Sequence, residues 1–139
     1  MDGAALTAED ANRILAENFS DWVRDLRMDF TEITKDYTIS RMPNSDRLSR
    51  VGGIVSGQAL MAMADTTMVL ATAGFFGEFK PVATTNFDIQ FLRPGVGEWL
   101  VCRADIVRAG KSLAFVRAEM VSEPNGKEVA RAQATFYVV

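Results

Sequence analysis

Between Val51 and Gly77 the sequence VGGIVSGQALMAMADTTMVLATAGFFG carries a single charged residue, Asp65. Alanine, leucine and methionine dominate its middle, and such residues lose little on entering a helix. The sequence therefore predicts a helix from Ser56 to about Ala73, with Gly74 as its stop. A helix that is apolar on nearly every side must be covered on nearly every side, by protein or by lipid. Lipid is disfavoured: Ser56, Gln58, Asp65, Thr66 and Thr67 interrupt the run, and a mid-helix carboxylate is expensive in a bilayer. What remains is a soluble fold that wraps this helix.

The wrapping material follows it. After Pro81 the hydropathy pattern changes to period two, with Phe87, Ile89 and Phe91 alternating with polar residues. The same alternation returns around Leu100–Ile106, Ala114–Met120 and Ala130–Phe136, so four strands of an antiparallel sheet are expected. Ahead of the helix, Thr7 and Asp10 form a capping-box signature, and Ala11, Ile14, Leu15, Phe19, Trp22, Val23 and Leu26 recur at helical spacing. This predicts one amphipathic helix over Ala8 to about Leu26. Asp29 to Arg41, rich in β-branched residues, reads as a first strand, and the stretch from Pro43 to Arg50 as a polar loop. The expected class is α+β: a curved antiparallel sheet around a long central helix, with an additional N-terminal helix. One such sheet is too thin to hide so apolar a helix completely, which calls for a second copy of the chain.

Composition removes most other chemistries. The 139 residues suit one domain, 1–139, with no internal repeat or linker. The chain has no histidine, which excludes Ser-His-Asp and Cys-His nucleophile systems, imidazole metal sites and histidine-dependent hydratases. Cys102 stands alone, so neither a thiolate cluster nor an internal disulfide is expected. The net charge is −3 without a basic run, which argues against nucleic acid. The acidic, polar start has no basic n-region, so the cytoplasm is the expected compartment. Any catalysis rests on carboxylates, hydroxyls, cations and backbone amides.

The run from Gly57 to Asp65, then Asn86-Phe87-Asp88-Ile89-Gln90-Phe91-Leu92-Arg93-Pro94, then Arg108-Ala109-Gly110-Lys111-Ser112-Leu113-Ala114, resembles the hotdog-fold thioesterases of the phenylacetate-degradation (PaaI-like) branch. The resemblance extends from Arg50 to the C-terminus. It implies that Asp65 is the catalytic carboxylate, that the Gly57 amide polarises the thioester carbonyl, and that Thr84 is the Ser/Thr of the following strand. Two positions depart from the pattern. Ser56 stands where that branch has a histidine, and Arg50 where an asparagine is frequent.

Under this resemblance the substrate is an acyl- or aryl-acyl-CoA thioester, and CoA enters only as part of it, with no metal or other cofactor. Asp65 acts as general base or nucleophile, and the helix N-terminal amide at Gly57 holds the developing oxyanion. Ser56 caps the helix and orients water. Gln58, Thr84, Arg93, Arg108 and Lys111 are the candidate substrate-binding residues, the cations as partners of CoA phosphates. Gly57 and Asp65 lie eight residues apart, ~12 Å along a helix, too far for one carbonyl carbon to meet both. The pair therefore implies a homodimer with two composite sites, and a dimer of dimers beyond it. The alternative is a non-catalytic acyl-CoA-binding or regulatory protein of the same fold, a reading encouraged by the two departures.

Overall fold

In the computed structural model, which describes residues 5–139, Thr7 opens the first helix, α1 (Ala8–Asn18). The capping box is complete: the Thr7 hydroxyl accepts from the Asp10 N–H at 3.1 Å, and the Asp10 carboxylate accepts from the Thr7 N–H at 2.8 Å. The single helix expected to Leu26 is instead two. Phe19 turns extended (φ −110°, ψ 155°) and packs on Phe79, ring centroids 6.5 Å apart. Ser20 then starts α2 (Asp21–Arg24). Side chains satisfy the carbonyls left at the break: Asn18 donates to Ile14 at 3.0 Å and Arg24 to Ala16 at 2.7 Å.

The first expected strand is likewise two, β1 (Asp29–Ile33) and β2 (Tyr37–Pro43), paired antiparallel. The reversal is made by Thr34, whose hydroxyl accepts from the N–H groups of Asp36 and Tyr37 at 3.1 and 3.0 Å. That hydroxyl turn competes with extended backbone at a residue otherwise suited to strands. The polar loop that follows holds a short hairpin, β3 (Ser49–Arg50) with β4 (Ile54–Val55), which leads directly into α3 (Gly57–Phe76).

Four long strands complete the chain: β5 (Val82–Phe91), β6 (Trp99–Ala109), β7 (Leu113–Glu123) and β8 (Glu128–Val138). The six-stranded sheet runs β1-β2-β6-β7-β8-β5, antiparallel throughout. It curls around α3, as expected for the hotdog arrangement. Met63, Met68 and Leu70 of the helix and Leu100, Met120 and Phe136 of the sheet meet in one apolar core without water contact. One polar clip crosses it: Thr67 donates to the Met63 carbonyl at 2.7 Å and its oxygen lies 2.8 Å from Ser40 Oγ on β2.

α3 ends later than expected. Gly77, left-handed at φ 75°, is its C-cap, and its N–H donates to Ala73 at 2.9 Å. Gly74 is a contact residue instead: a Cβ there would lie 2.4 Å from the Thr34 carbonyl oxygen. α3 is long and apolar enough to cross a membrane by length and composition alone, but most of it is buried in this core.

Candidate active site

Covering α3 leaves one stripe open. Thr66 to Ala73 are all buried, whereas Gln58, Met61, Ala62 and Asp65 recur at three- and four-residue spacing along a side the sheet does not reach. Met61, an apolar side chain, is 42% exposed. Beside the stripe runs β5, an edge strand paired with β8 on one side only. β5 meets α3 at both Asp65 and Gly57. Thr84 Oγ1 donates to Asp65 Oδ1 at 3.1 Å, and the Phe91 ring lies over Gly57, 3.4 Å from where a Cβ would be.

Asp65 is half-buried, and burial pushes its carboxyl above the ordinary value of 3.8; the Thr84 hydrogen bond opposes that shift. Among the described residues no cation lies within ion-pair distance of it. The neighbouring Thr67 hydroxyl is turned into the core clip. A carboxylate with one neutral donor, at the edge of solvent and unpaired, is poised to take a proton.

Gly57 begins α3. Ser56 caps it, its Oγ accepting from the Ala59 N–H at 3.2 Å, and its carbonyl accepts from Leu60 at 3.2 Å. The Gly57 and Gln58 amides therefore remain without an intrahelical acceptor. Gly57 opens on a cleft of about 440 Å³ whose walls include Arg50, Ile54, Leu60, Phe91 and Arg93. Arg93 also donates to the Glu128 carbonyl at 2.9 Å.

The remaining residues singled out in the sequence are dispersed. Ser56 and Gln58 face a second cleft of about 280 Å³, on the side of Trp22 and Arg47. Arg108 lies at a bulge of β6 and borders a hollow of about 480 Å³ with Asp88, Phe115 and Gln133. Lys111 is exposed in the β6–β7 turn. That turn lies toward the Thr84 end of the sheet, since Thr84 and Ala114 both register with Phe136. Gly57 and Arg93 lie toward the other end, near Phe91 and Ala130. Within one chain, Asp65 with Thr84 thus stands apart from Gly57 with its cleft. Among the described residues no group of three or more acidic or thiol side chains converges as a metal site would require.

Sequence reasoning did not single out Phe91 as a wall of the Gly57 cleft. The only signal was its place at the end of the alternating run Phe87–Phe91. Arg50 stood out as a departure from a pattern, but its place in that cleft follows from the β3–β4 hairpin.

Known proteins share this fold. Residues 52–129 match the family model described as "Thioesterase superfamily". The chain is 30% identical over 131 residues to "Putative esterase Ta0293" of Thermoplasma acidophilum, covering 94% of this chain and 96% of that one. Among solved structures it resembles the Haemophilus influenzae thioesterase HI1161, with TM-score 0.86, 21% identity and coverage of 98% and 92% of the two chains. It also resembles the E. coli PaaI protein of the phenylacetic acid degradation operon, with TM-score 0.81, 20% identity and coverage of 95% and 93%. Those two structures bear on the fold. Through the family match and the relative at 30% identity, the chain belongs to the thioesterase superfamily, as a thioester hydrolase.

Proposed function

We propose that the protein hydrolyses acyl- or aryl-acyl-CoA thioesters to the free acid and CoA, in composite sites built by two copies of the chain. The observation that carries this reading is the separation of the half-sites. The unpaired Asp65 carboxylate and the Gly57 amide stand ~12 Å apart along α3, Asp65 on the stripe the sheet leaves open and Gly57 at the helix start under Phe91. Two such helices packed antiparallel about a two-fold axis bring each Asp65 to the partner's Gly57. The open edge of β5 and the exposed Met61 beside it offer the surface such pairing would cover.

In each site the thioester carbonyl oxygen accepts from the Gly57 N–H, with the positive end of α3 behind it. Asp65 takes a proton from water as the water oxygen bonds to the carbonyl carbon, and the C–S bond then breaks as the thiolate of CoA leaves; or Asp65 attacks that carbon itself and expels the thiolate, leaving a mixed anhydride that water hydrolyses to the free acid and the restored carboxylate. Thr84 holds Asp65 in its rotamer, a positioning role in place of direct substrate contact. Ser56 serves as the cap that leaves the Gly57 amide pointing outward. Arg93 lies on the same cleft as Gly57 and suits a CoA phosphate; Arg108, beside Phe115 and Gln133, and the exposed Lys111 stay apart from it as further candidate phosphate partners. A dimer of dimers extends the same assembly.

The test is a panel of acyl-CoA esters with thiol release followed for wild type and Asp65→Asn. Turnover by the wild type, reduced about 10²–10⁴-fold in the variant, is expected. Tight CoA binding with no turnover of any ester would replace the proposal with the non-catalytic reading. After single turnover in ¹⁸O-water, label recovered in the Asp65 carboxylate would mark it as the nucleophile, since a general base acquires none.

A further inference from the structure

The cleft over Gly57 carries a cation that enters no ion pair among the described residues. Its floor is apolar, with Val55 and Leu60 buried. Arg50 and Arg93 are its exposed rim, and no acidic side chain borders it. This is a locally positive mouth on a chain of net charge −3. Arg93 is partly committed to the Glu128 carbonyl. Arg50 belongs to none of the ion pairs among the described residues.

A guanidinium on the rim of the cleft that Gly57 opens on has two uses: a second donor to the thioester oxygen, or a partner for an anion elsewhere on the substrate. Donors to a developing oxyanion work because they are held in place before the reaction. Arg50 ends a two-residue strand and enters a turn through Gly52 and Gly53, both at positive φ, beside the almost fully exposed Val51. Nothing there fixes its guanidinium. It suits an anion that arrives on a long arm and accepts several geometries, which describes a phosphate.

We propose that Arg50 is a specificity-determining residue that reads the phosphate-bearing carrier of the substrate and leaves the acyl group unread. The inference rests on the thioesterase reading of the Gly57 cleft. It assigns that cleft to the carrier arm, so that the acyl group extends the other way, toward Asp65 of the partner subunit.

The experiment compares wild type, Arg50→Ala and Arg50→Lys on an acyl-CoA and on the matching acyl-pantetheine, which lacks phosphate. Arg50→Ala is expected to raise KM for the CoA ester about fivefold, the effect of one exposed ion pair, with kcat unchanged and with the pantetheine ester unaffected. Arg50→Lys should recover part of the loss, and added salt should erode the wild-type preference for the CoA ester. Equal loss of kcat on both esters would place Arg50 at the carbonyl and overturn the proposal, as would no change on either. Calorimetric titration with CoA reads the same residue without turnover. Weaker binding to Arg50→Ala in a protein that hydrolyses nothing would sink the hydrolase reading and keep this one, whereas equal binding would sink this one.

Discussion

Thr84 and Asp65 join the edge strand β5 to the central helix through one 3.1 Å hydrogen bond, with the hydroxyl donating to the carboxylate. The bond lowers the carboxyl pKa while burial raises it, and burial is the larger influence. Two opposing forces on one group make the balance adjustable by a single substitution.

Thr84→Val removes the opposing force. The Asp65 pKa then rises further, and a larger fraction of the enzyme is protonated on the acid side. The acid limb of kcat/KM should move to higher pH in Thr84→Val and return toward its original position in Thr84→Ser. A limb that stays in place would show that Asp65 is not the group titrating there.

Asp65 also carries a stability cost. Its folded pKa lies above the ordinary value of 3.8, so the ionised form is disfavoured by folding. That cost is full above the folded pKa and vanishes as pH falls through it toward the ordinary value. Asp65→Asn should therefore unfold at higher temperature than wild type near neutral pH. The gain should shrink in acid, where both carry a neutral side chain. Thermal melts at pH 7 and below 4 check this against the loss of turnover in the same variant.

Met61 lies four residues from Gly57 and four from Asp65, so a two-fold axis that sets one against the other must pass close to it. Met61→Cys should cross-link to its counterpart under mild oxidation or with a short bis-maleimide, giving a covalent dimer on a non-reducing gel. Val107→Cys, on an exposed part of β6, is the control. Equal yields from the two positions would remove the antiparallel helix pairing.

Gly74 sits where α3 touches the β1–β2 turn. A methyl there meets the Thr34 oxygen at 2.4 Å and Ile33 Cγ1 at 2.9 Å. Gly74→Ala should cost about 1–3 kcal/mol, as overpacking does, despite the better helix propensity of alanine. Denaturant titration reads the loss; an unchanged midpoint would show that the turn moves aside freely.

α3 was legible from an uncharged run rich in Ala, Leu and Met, the strands β5 to β8 because burial of one face imposes a period of two, and a lone charge in the oily run marked Asp65. The break at Phe19 was hidden, because the residue continues the helical spacing while its ring is drawn off by Phe79, sixty positions away. The turn at Thr34 was hidden by a hydroxyl that can serve either strand or turn. Gly74 and Gly77 look alike in sequence, and only the approach of the Thr34 carbonyl distinguishes contact from cap. The division of Gly57 and Asp65 was legible from helix arithmetic, whereas the company each keeps, Phe91 and Arg50 for one and Thr84 for the other, depends on how β5 and the β3–β4 hairpin fold back.

Cys102 lies wholly inside the core, its thiol pushed up to about 12 by burial. A thiolate is the form that reacts with disulfide dyes, and this one is both absent near neutral pH and out of reach. The native chain should stay silent toward such a dye until it unfolds. Colour in a turnover assay then counts the departing carrier alone, and a late burst of one equivalent per chain signals loss of the fold.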